Sequence, residues 1–296
     1  MRAFVTGGHG FVGTWLRRHL DAEGDDVVAP TGEEMDVTDE AAVAAAVTDA
    51  EPEVVYHLAG LAHVGRSWQE PAEFLRVNAG GTLNVLEAAR RCATPPRVVV
   101  VSSAEVYGTV RPEQLPLTEQ VPVRPVSPYA ASKAAAEVLA LQANLGHGTP
   151  VVVARPFNHI GPGQDPAFMV PGLATRILAA RRNGTRTIGV GNLEPRRDLT
   201  DVRDIVRAYR LLATAGQPGA TYNVCSGRDL AVGEVLDRLL ALTGAEMTAE
   251  ADPALVRAVE VPVLRGDPSM LRAATGWAPA IPLDDTLRAV LASLGG

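Results

Sequence analysis

Two patterns of apolar residues alternate along the first half of the chain. Short apolar runs, most of them rich in valine, occupy residues 2–6, 54–60, 98–101 and 151–154, and a helical period is clearest in residues 77–91. Continuous runs of this kind are typical of strands that are buried on both faces of a sheet. Their alternation with helices predicts an α/β fold built on a doubly wound parallel sheet.

The pattern loosens in the second half of the chain. Helices are predicted near residues 172–182, 202–213, 232–242 and 283–293, strands at 186–190 and 222–224, and a charged loop at 191–198. Such a mixture is typical of a smaller α/β lobe that holds a substrate. We therefore expect residues 1–160 and 161–296 to form two interleaved lobes, with residues 199–229 packing back on the first.

Three glycines follow the first apolar run at regular spacing. Gly7, Gly10 and Gly13 stand between the predicted strand and the helical period that comes next. The first glycine permits a tight turn, the second lets the backbone approach a pyrophosphate, and the third allows close packing of helix on strand. The first lobe is therefore predicted to be a Rossmann domain that binds a dinucleotide.

The end of the second predicted strand, at residues 26–29, bears on the choice between NAD and NADP. NAD enzymes usually offer a carboxylate to the ribose diol there, and NADP enzymes an arginine to the 2′-phosphate. This chain has Pro-Thr-Gly at residues 30–32, so neither signature is present. The lack of a carboxylate favours NADP, although Glu33 and Glu34 follow closely.

Asp36 and Val37 come at the predicted end of a third strand. A carboxylate at this place could accept a hydrogen bond from an adenine amino group. It could equally cap the helix that is predicted over residues 39–47, since aspartate is a favoured N-cap residue. Both interpretations are open at this point.

Composition and charge argue against several classes of function. The apolar fraction of 47% excludes a disordered chain, and a net charge of −7 without a basic, aromatic-rich stretch predicts no nucleic-acid partner. No apolar run approaches the ~20 residues of a membrane span, and the N-terminus lacks a signal-peptide pattern. We expect a soluble, cytoplasmic protein without a metal site, in which Cys92 and Cys225 are buried thiols.

Chemically useful side chains occur at two further places. Tyr129 and Lys133 lie four residues apart on a predicted helix, so they project from one face and the ammonium can stabilise a phenolate. Ser103 and Glu105 follow the valine strand at residues 98–101, and ligands bind beyond the carboxyl ends of parallel strands. A tyrosine four residues before a lysine also occurs on ordinary solvated helices, so the pair alone does not define a site.

Together these motifs resemble the extended short-chain dehydrogenase/reductase superfamily along nearly the whole chain. The resemblance rests on the glycine motif, the strand ending at Ser103 and the Tyr129-x-x-x-Lys133 pair. It is closer to the nucleotide-sugar branch, and within it to the GDP-4-dehydro-6-deoxy-D-mannose reductases, which make GDP-D-rhamnose. The strings that carry this closer resemblance are residues 127–133, 155–164, 190–194, 197–198, 200–204 and 222–227. The sister group, the GDP-mannose 4,6-dehydratases, shares several of these strings.

The resemblance implies a hydride-transfer site that acts on a GDP-linked 6-deoxyhexulose. Ser103 would hydrogen-bond the sugar C4 oxygen, Tyr129 would exchange a proton with it, and Lys133 would bind the nicotinamide ribose and depress the tyrosine pKa. The implied substrate contacts are Ser103, Glu105, Asn158, Arg197, Arg257 and Glu260. The implied cofactor contacts are Gly7, Gly10, Phe11, Val12, Gly13, Thr31, Asp36, Val37, Leu58, Ala59, Gly60, Ser102, Tyr129, Lys133 and Pro156.

Glu105 bears on which reaction such a site carries out. In the resembling dehydratases a glutamate at this position abstracts the C5 proton, but similar reductases also carry one, so the residue does not discriminate. Ala104 at the place of a second acid, the shorter chain and the lack of an arginine-rich loop after the second strand favour a reductase. A 4,6-dehydratase, a C4 epimerase and a dinucleotide-sensing binding protein are the alternatives.

Two further expectations come from the resemblance. Superfamily members pair through the helices that correspond to residues 77–91 and 127–143, so we expect a homodimer. Arg197 is expected to bind the substrate phosphates, for which its planar guanidinium is well suited. Its alternative role is a surface ion pair with Asp198 or Asp201.

Overall fold

The structure, a computed structural model, describes residues 1–255 and 261–295. The strands are β1 (Arg2–Thr6), β2 (Asp26–Val28), β3 (Val54–His57), β4 (Arg97–Val101), β5 (Val151–Pro156), β6 (Asn158–Ile160), β7 (Thr187–Val190), β8 (Arg196–Asp201), β9 (Thr221–Val224), β10 (Asp229–Ala231), β11 (Thr248–Ala251) and β12 (Val263–Leu264). The helices are α1 (Phe11–Ala22), α2 (Glu40–Ala50), α3 (Val64–Ser67), α4 (Pro71–Leu75), α5 (Gly81–Arg91), α6 (Pro128–His147), α7 (Met169–Asn183), α8 (Val202–Ala215), α9 (Val232–Thr243), α10 (Ser269–Thr275) and α11 (Leu283–Ser293). A π-helical turn, Arg76–Gly80, precedes α5.

The centre of the fold is a parallel sheet with the strand order β2-β1-β3-β4-β5-β9. Helices α1 and α8 cover one face of this sheet, and α2, α5 and α6 cover the other. Because both faces are covered, the inner strands are continuous apolar runs, and Val98, Val99 and Val100 in β4 are at most 1% exposed. The predicted doubly wound parallel sheet is confirmed.

The second half of the chain contributes to both parts of the fold. Strand β9 forms the edge of the central sheet, where Ala154 of β5 lies opposite Tyr222. The remaining late strands form two small sheets, one with the order β10-β8-β12 and β6 beside β8, and one that pairs β11 with β7. A second apolar core, formed by α7, α9 and α11 together with these strands, supports the smaller lobe.

The predicted charged loop at residues 191–198 is wrong for its last three residues, which begin β8. Arg196 and Asp198 have partners on β10 and in the adjoining loops, which is why a strand tolerates these charges. Arg196 forms an ion pair with Asp229 on the neighbouring β10. Asp198 accepts hydrogen bonds from the backbone N–H groups of Ser226, Gly227 and Gly266. Burial nevertheless raises the pKa of the Asp198 carboxyl to about 6.

The predicted third strand ending at Val37 is also wrong, because residues 29–39 contain turns and no strand. Thr31 and Glu34 bond reciprocally: the Thr31 N–H donates to Glu34 Oε2 at 2.7 Å, and the Glu34 N–H donates to the Thr31 hydroxyl at 3.2 Å. Met35 is buried and anchors the segment in the core between α2 and α5. Strand β3 begins only at Val54.

Two expectations from composition can be compared with the structure. Cys225 is buried as predicted, whereas Cys92 at the end of α5 is only partly buried. Over residues 1–255 and 261–295, no helix combines the length and the apolar character needed to cross a membrane.

Candidate active site

The glycine motif forms the turn between β1 and α1. Gly7 has a φ of +69°, in the left-handed region that favours glycine, and a Cβ there would lie 2.7 Å from the Ala59 nitrogen. A Cβ at Gly13 would lie 2.1 Å from the Gly7 carbonyl oxygen. The N-cap residue, Gly10, has no side chain with which to cap the first N–H groups of α1. The turn therefore fits a pyrophosphate, which binds backbone N–H groups at a helix N-terminus.

A cavity of ≈ 130 Å³ opens beside this turn. Its lining residues are Gly7, Pro30, Gly32, Met35, Asp36, Val37 and Ala59. They follow β1, β2 and β3, so the cavity lies beyond the carboxyl ends of the strands, where Rossmann folds bind the cofactor. Four of the predicted cofactor contacts, Gly7, Asp36, Val37 and Ala59, thus line one cavity.

The structure decides which aspartate caps α2. Asp39 is the N-cap residue, and its carboxylate accepts from the N–H groups of Ala41 and Ala42. Asp36 accepts instead from the N–H and the hydroxyl of Thr38, at 2.8 Å each. Asp36 is therefore not the helix cap, and it stays a predicted adenine contact.

The predicted catalytic side chains come together at the carboxyl end of β4. Ser103 caps a short 3₁₀ helix, and its hydroxyl oxygen accepts from the Glu105 N–H at 3.2 Å. Tyr129 and Lys133 lie on the first turns of α6, and both are buried. The Lys133 ammonium donates to the Val101 carbonyl oxygen, at the end of β4, at 2.9 Å. Strand β4 and helix α6 therefore position these groups jointly.

Tyr129 lies in surroundings that keep its phenol protonated. Its ring packs edge-on against Phe74, with the ring centroids 6.3 Å apart. Burial raises the pKa of Tyr129 to about 12; the Glu105 carboxylate acts in the same direction, and the neighbouring Ser103 hydroxyl opposes the shift. Lys133 is not among the groups that shift this pKa, so the expected lowering of the tyrosine pKa by Lys133 stays a prediction. At neutral pH the phenol is a proton donor.

The pKa of Lys133 is shifted in the opposite direction, to a lower value. Burial lowers the pKa of its ammonium to about 8, and the Glu137 carboxylate partly opposes this shift by favouring the charged form. A lysine with this pKa is cationic at neutral pH and loses its proton as the pH rises through about 8. Gly60, which follows β3, lies close by, because a Cβ there would be 3.4 Å from Lys133 Nζ.

Glu137 belongs to a buried network that the sequence prediction missed. Its Oε1 accepts from the Ser102 hydroxyl at 2.5 Å and from Arg155 Nε at 2.8 Å, and its Oε2 accepts from Arg155 Nη2 at 2.6 Å. The predicted cofactor contact Ser102 therefore directs its hydroxyl to this carboxylate. A signal was available, since Glu137 stands four residues after Lys133 and so lies on the same helix face. Nothing in the sequence indicated its partner on β5.

His57, the last residue of β3, is a second residue that the sequence prediction missed. Its Nδ1 is 2.8 Å from the Thr6 hydroxyl and its Nε2 is 3.0 Å from the Thr82 hydroxyl. Burial, reinforced by the charge of Lys133, lowers the pKa of His57 to about 3, so the ring is neutral. The Thr6 hydroxyl also accepts from the Ala59 N–H at 3.2 Å. His57 thus helps to hold the turn that contains the predicted contacts Leu58, Ala59 and Gly60.

The predicted substrate contact Asn158 opens β6, next to the first turn of α1. His159 stacks on Phe11, with 6.2 Å between ring centroids and 10° between ring planes. The Trp15 indole N–H donates to the Pro162 carbonyl oxygen at 3.1 Å. The loop that follows β5 is therefore attached to the helix that forms the pyrophosphate turn.

Arg197 is buried in β8, and its Nη1 donates to the carbonyl oxygen of Arg196 at 2.9 Å. The carboxylates proposed for its alternative ion pair have other partners. Asp198 accepts the hydrogen bonds described above, and Asp201 pairs with Arg203 at 2.7 Å. A surface ion pair does not describe Arg197, because the residue is only 5% exposed.

Two of the remaining predicted contacts, Pro156 and Thr31, have defined partners in the structure. Pro156 ends β5, opposite Val224 of β9, and the Thr31 N–H is bonded to Glu34. Arg257 and Glu260 lie outside the described residues. Among residues 1–255 and 261–295, no group of three or more His, Cys, Asp or Glu side chains has an arrangement that could hold a metal ion.

Comparison with known proteins connects this site to a family. Residues 3–225 match the model of the NAD dependent epimerase/dehydratase family. The chain is 38% identical over 293 residues to the GDP-6-deoxy-D-mannose reductase of Pseudomonas aeruginosa, covering 98% of this chain and 96% of that protein. It is 35% identical over 242 residues to a dTDP-glucose 4,6-dehydratase of Streptomyces griseus, covering 80% of this chain and 70% of that protein.

The fold has a solved counterpart of similar length. The structure of RMD from Pseudomonas aeruginosa complexed with NADPH superposes with a TM-score of 0.91 at 37% identity, covering 99% of this chain and 98% of that chain. The central sheet and the smaller lobe thus both have counterparts in that structure.

The titration of Lys133 can be measured directly, because Lys133 is the single lysine of the chain. We expect the rate of its acylation, followed by mass spectrometry of the Lys133 peptide, to rise with pH with a midpoint near 8. Glu137→Gln removes a charge that favours the ammonium and should move the midpoint to lower pH. A midpoint close to the ordinary lysine value of ~10.4 would show that burial does not control this amine.

The glycine turn allows a matched pair of substitutions. Gly13→Ala places a Cβ 2.1 Å from the Gly7 carbonyl oxygen, so the turn must open. We expect a lower free energy of unfolding, by about 1–3 kcal/mol, and a large loss of dinucleotide affinity in calorimetric titration. Gly80→Ala is the control, because a Cβ there meets nothing within 4 Å and Gly80 ends the π-helical turn before α5, away from the residues that line the cavity. Equal stability and affinity of the two variants would contradict the role of the close packing at Gly13.

Proposed function

The chain belongs to the NAD dependent epimerase/dehydratase family, and on that premise we propose that it reduces the C4 ketone of GDP-4-dehydro-6-deoxy-D-mannose to give GDP-D-rhamnose. The observation that carries the proposal is the group of Ser103, Tyr129 and Lys133 at the end of β4, in a chain that resembles a GDP-6-deoxy-D-mannose reductase along nearly its whole length. We propose NADPH or NADH as the electron donor, and the NADPH complex of the structural neighbour supports this.

Tyr129 is the proton donor in this proposal. Its pKa of about 12 keeps the phenol protonated at neutral pH, so it holds the proton that the C4 oxygen takes up when a ketone is reduced. Ser103 adds a second hydrogen bond to that oxygen. Lys133, cationic below about pH 8, stabilises the phenolate that remains. The reduced nicotinamide, when bound, supplies hydride to C4.

The smaller lobe would hold the nucleotide end of the substrate. Residues 1–160, with 199–229, would form the dinucleotide-binding domain, and residues 161–296 the substrate lobe. Asn158 and Arg197 would hold the diphosphate, since an arginine pairs well with phosphate oxygens. The roles assigned to the undescribed residues and the cytoplasmic location stay predictions.

A 4,6-dehydratase is the second candidate, and Glu105 is the observation that favours it. The carboxylate lies near enough to Tyr129 to raise the tyrosine pKa, so it could also face a sugar bound there. The similarity to a dTDP-glucose 4,6-dehydratase supports the same possibility. The two reactions differ in cofactor use, because a reductase consumes one NAD(P)H per turnover and a dehydratase regenerates its cofactor.

The test follows NADPH and NADH oxidation with GDP-4-dehydro-6-deoxy-D-mannose as substrate. We expect one reduced cofactor to be oxidised per sugar, and Tyr129→Phe to lower kcat by ~10²–10⁴-fold because the proton donor is removed. Calorimetric titration should show that Tyr129→Phe still binds the cofactor. Unchanged turnover of Tyr129→Phe would show that Tyr129 is not the proton donor. Consumption of GDP-mannose without net cofactor use would favour the dehydratase.

We also infer a homodimer that pairs through α5 and α6. Large apolar side chains stand on the outer face of α6, where Val138 is 67% and Leu145 77% exposed. Contiguous exposed apolar surface of this kind favours association. Val138→Glu with Leu145→Glu should therefore give a monomer in sedimentation velocity. Met270→Glu is the control, at an exposed apolar residue of α10, and should leave the dimer intact. A monomeric unaltered protein would contradict the inference.

A further inference from the structure

Two basic side chains that were absent from the predicted site meet at the end of β2. Arg17, in the second turn of α1, lies over Gly8, where a Cβ would be 3.2 Å from Arg17 Cδ and 2.7 Å from the Ala29 Cβ. Arg17 Nη1 donates to His9 Nδ1 at 3.3 Å, and His9 Nε2 donates to the Ala29 carbonyl oxygen at 3.0 Å. Both side chains are thus held against the backbone that follows β2.

The end of β2, where Arg17 and His9 meet, adjoins the proposed cofactor cavity. Pro30, next in the chain after Ala29, lines the cavity, as does Gly32. In Rossmann folds the segment after the second strand lies beside the 2′ position of the adenosine ribose, where NADP enzymes place an arginine. Here the arginine comes from α1 and not from the residues after β2.

Arg17 differs from other arginines of the chain in its partners. Arg203, Arg207 and Arg210 each form an ion pair with an aspartate. In the part of the chain that the structure describes, the hydrogen-bond partner of the Arg17 guanidinium is a histidine ring, and no carboxylate pairs with it. Its positive charge is therefore available to an anion.

The Glu34 carboxylate lies close to His9. Glu34 accepts from the Thr31 N–H at 2.7 Å, so this backbone donor, between the cavity-lining Pro30 and Gly32, is already used. This hydrogen bond, with a second one to the Thr31 side chain, lowers the pKa of the Glu34 carboxyl. A dianionic phosphate at this place would gain from Arg17 and be opposed by Glu34.

We propose that Arg17, positioned by His9, binds the 2′-phosphate of the cofactor and makes the protein prefer NADPH to NADH, while Glu34 limits that preference. The inference rests on the proposed function, for which either cofactor would supply the hydride. A guanidinium suits this task because it stays charged and offers a planar pair of donors to phosphate oxygens.

Calorimetric titration of NADPH and NADH with three forms of the full chain tests the inference. We expect the unaltered protein to bind NADPH more tightly, and Arg17→Met to weaken NADPH binding by about 10-fold to 100-fold, because a charged hydrogen-bond partner is lost. NADH affinity should change by less than about 2-fold, since NADH lacks the phosphate. Arg18→Met is the matched control: its neighbouring guanidinium stacks on Trp15 at 5.1 Å, and its loss should leave the NADPH-to-NADH ratio unchanged.

Glu34→Gln extends the test in the opposite direction. Because it removes a negative charge beside the phosphate, it should raise the NADPH-to-NADH affinity ratio. Equal losses of NADPH and NADH affinity in Arg17→Met, or an unchanged NADPH affinity, would overturn the inference. Ketone reduction by the unaltered protein would then still support the proposed function. Failure of the unaltered protein to bind either cofactor would overturn both.

Discussion

The buried ion pair between Glu137 and Arg155 joins the helix that carries Tyr129 and Lys133 to the central sheet. The two side chains are only 10% and 7% exposed, and two N–H groups of the guanidinium meet the two carboxylate oxygens at 2.8 and 2.6 Å. Taking two charges out of water costs several kcal/mol for each ion, and their attraction offsets this only with good geometry and further hydrogen bonds. Removal of one partner therefore lowers the free energy of unfolding by about 3–5 kcal/mol, because the other charge stays buried without its partner.

The hydrogen bonds of this pair extend to a part of the fold that comes much later in the chain. Arg155 Nη1 donates to the Tyr107 hydroxyl at 2.9 Å, and that hydroxyl donates to Asn223 Oδ1 at 2.8 Å. Asn223 lies on β9, the edge strand next to β5. The same charge pair thus connects α6, β5 and β9, so the positions of the candidate catalytic groups depend on a strand contributed by the second half of the chain.

The features that could be predicted from the sequence are those that depend on a local pattern of residues. The valine runs at β4 and β5 predict the sheet, which the structure confirms. The glycine motif and the Tyr129/Lys133 spacing are local patterns too, and they predict the candidate site. The strand at Arg196–Asp201 was missed, because its charges are neutralised by partners distant in sequence. Arg155, and Arg17 at the proposed 2′-phosphate site, were missed for the same reason, because the partner of each is fixed by tertiary packing and not by spacing along the sequence.

Burial inverts the usual order of the two titrating groups at the centre of the site. An unperturbed tyrosine and lysine lose their protons at nearly the same pH, ~10 and ~10.4. Here the pKa of Tyr129 is about 12 and that of Lys133 about 8, so the phenol keeps its proton more firmly than the ammonium. A tyrosine held in this way does not ionise before a substrate is present, and it gives up its proton only to a stronger base, such as the alkoxide that forms when hydride reaches a ketone. The phenolate left behind then needs a neighbouring positive charge, and Glu137 favours that charge on Lys133 at neutral pH.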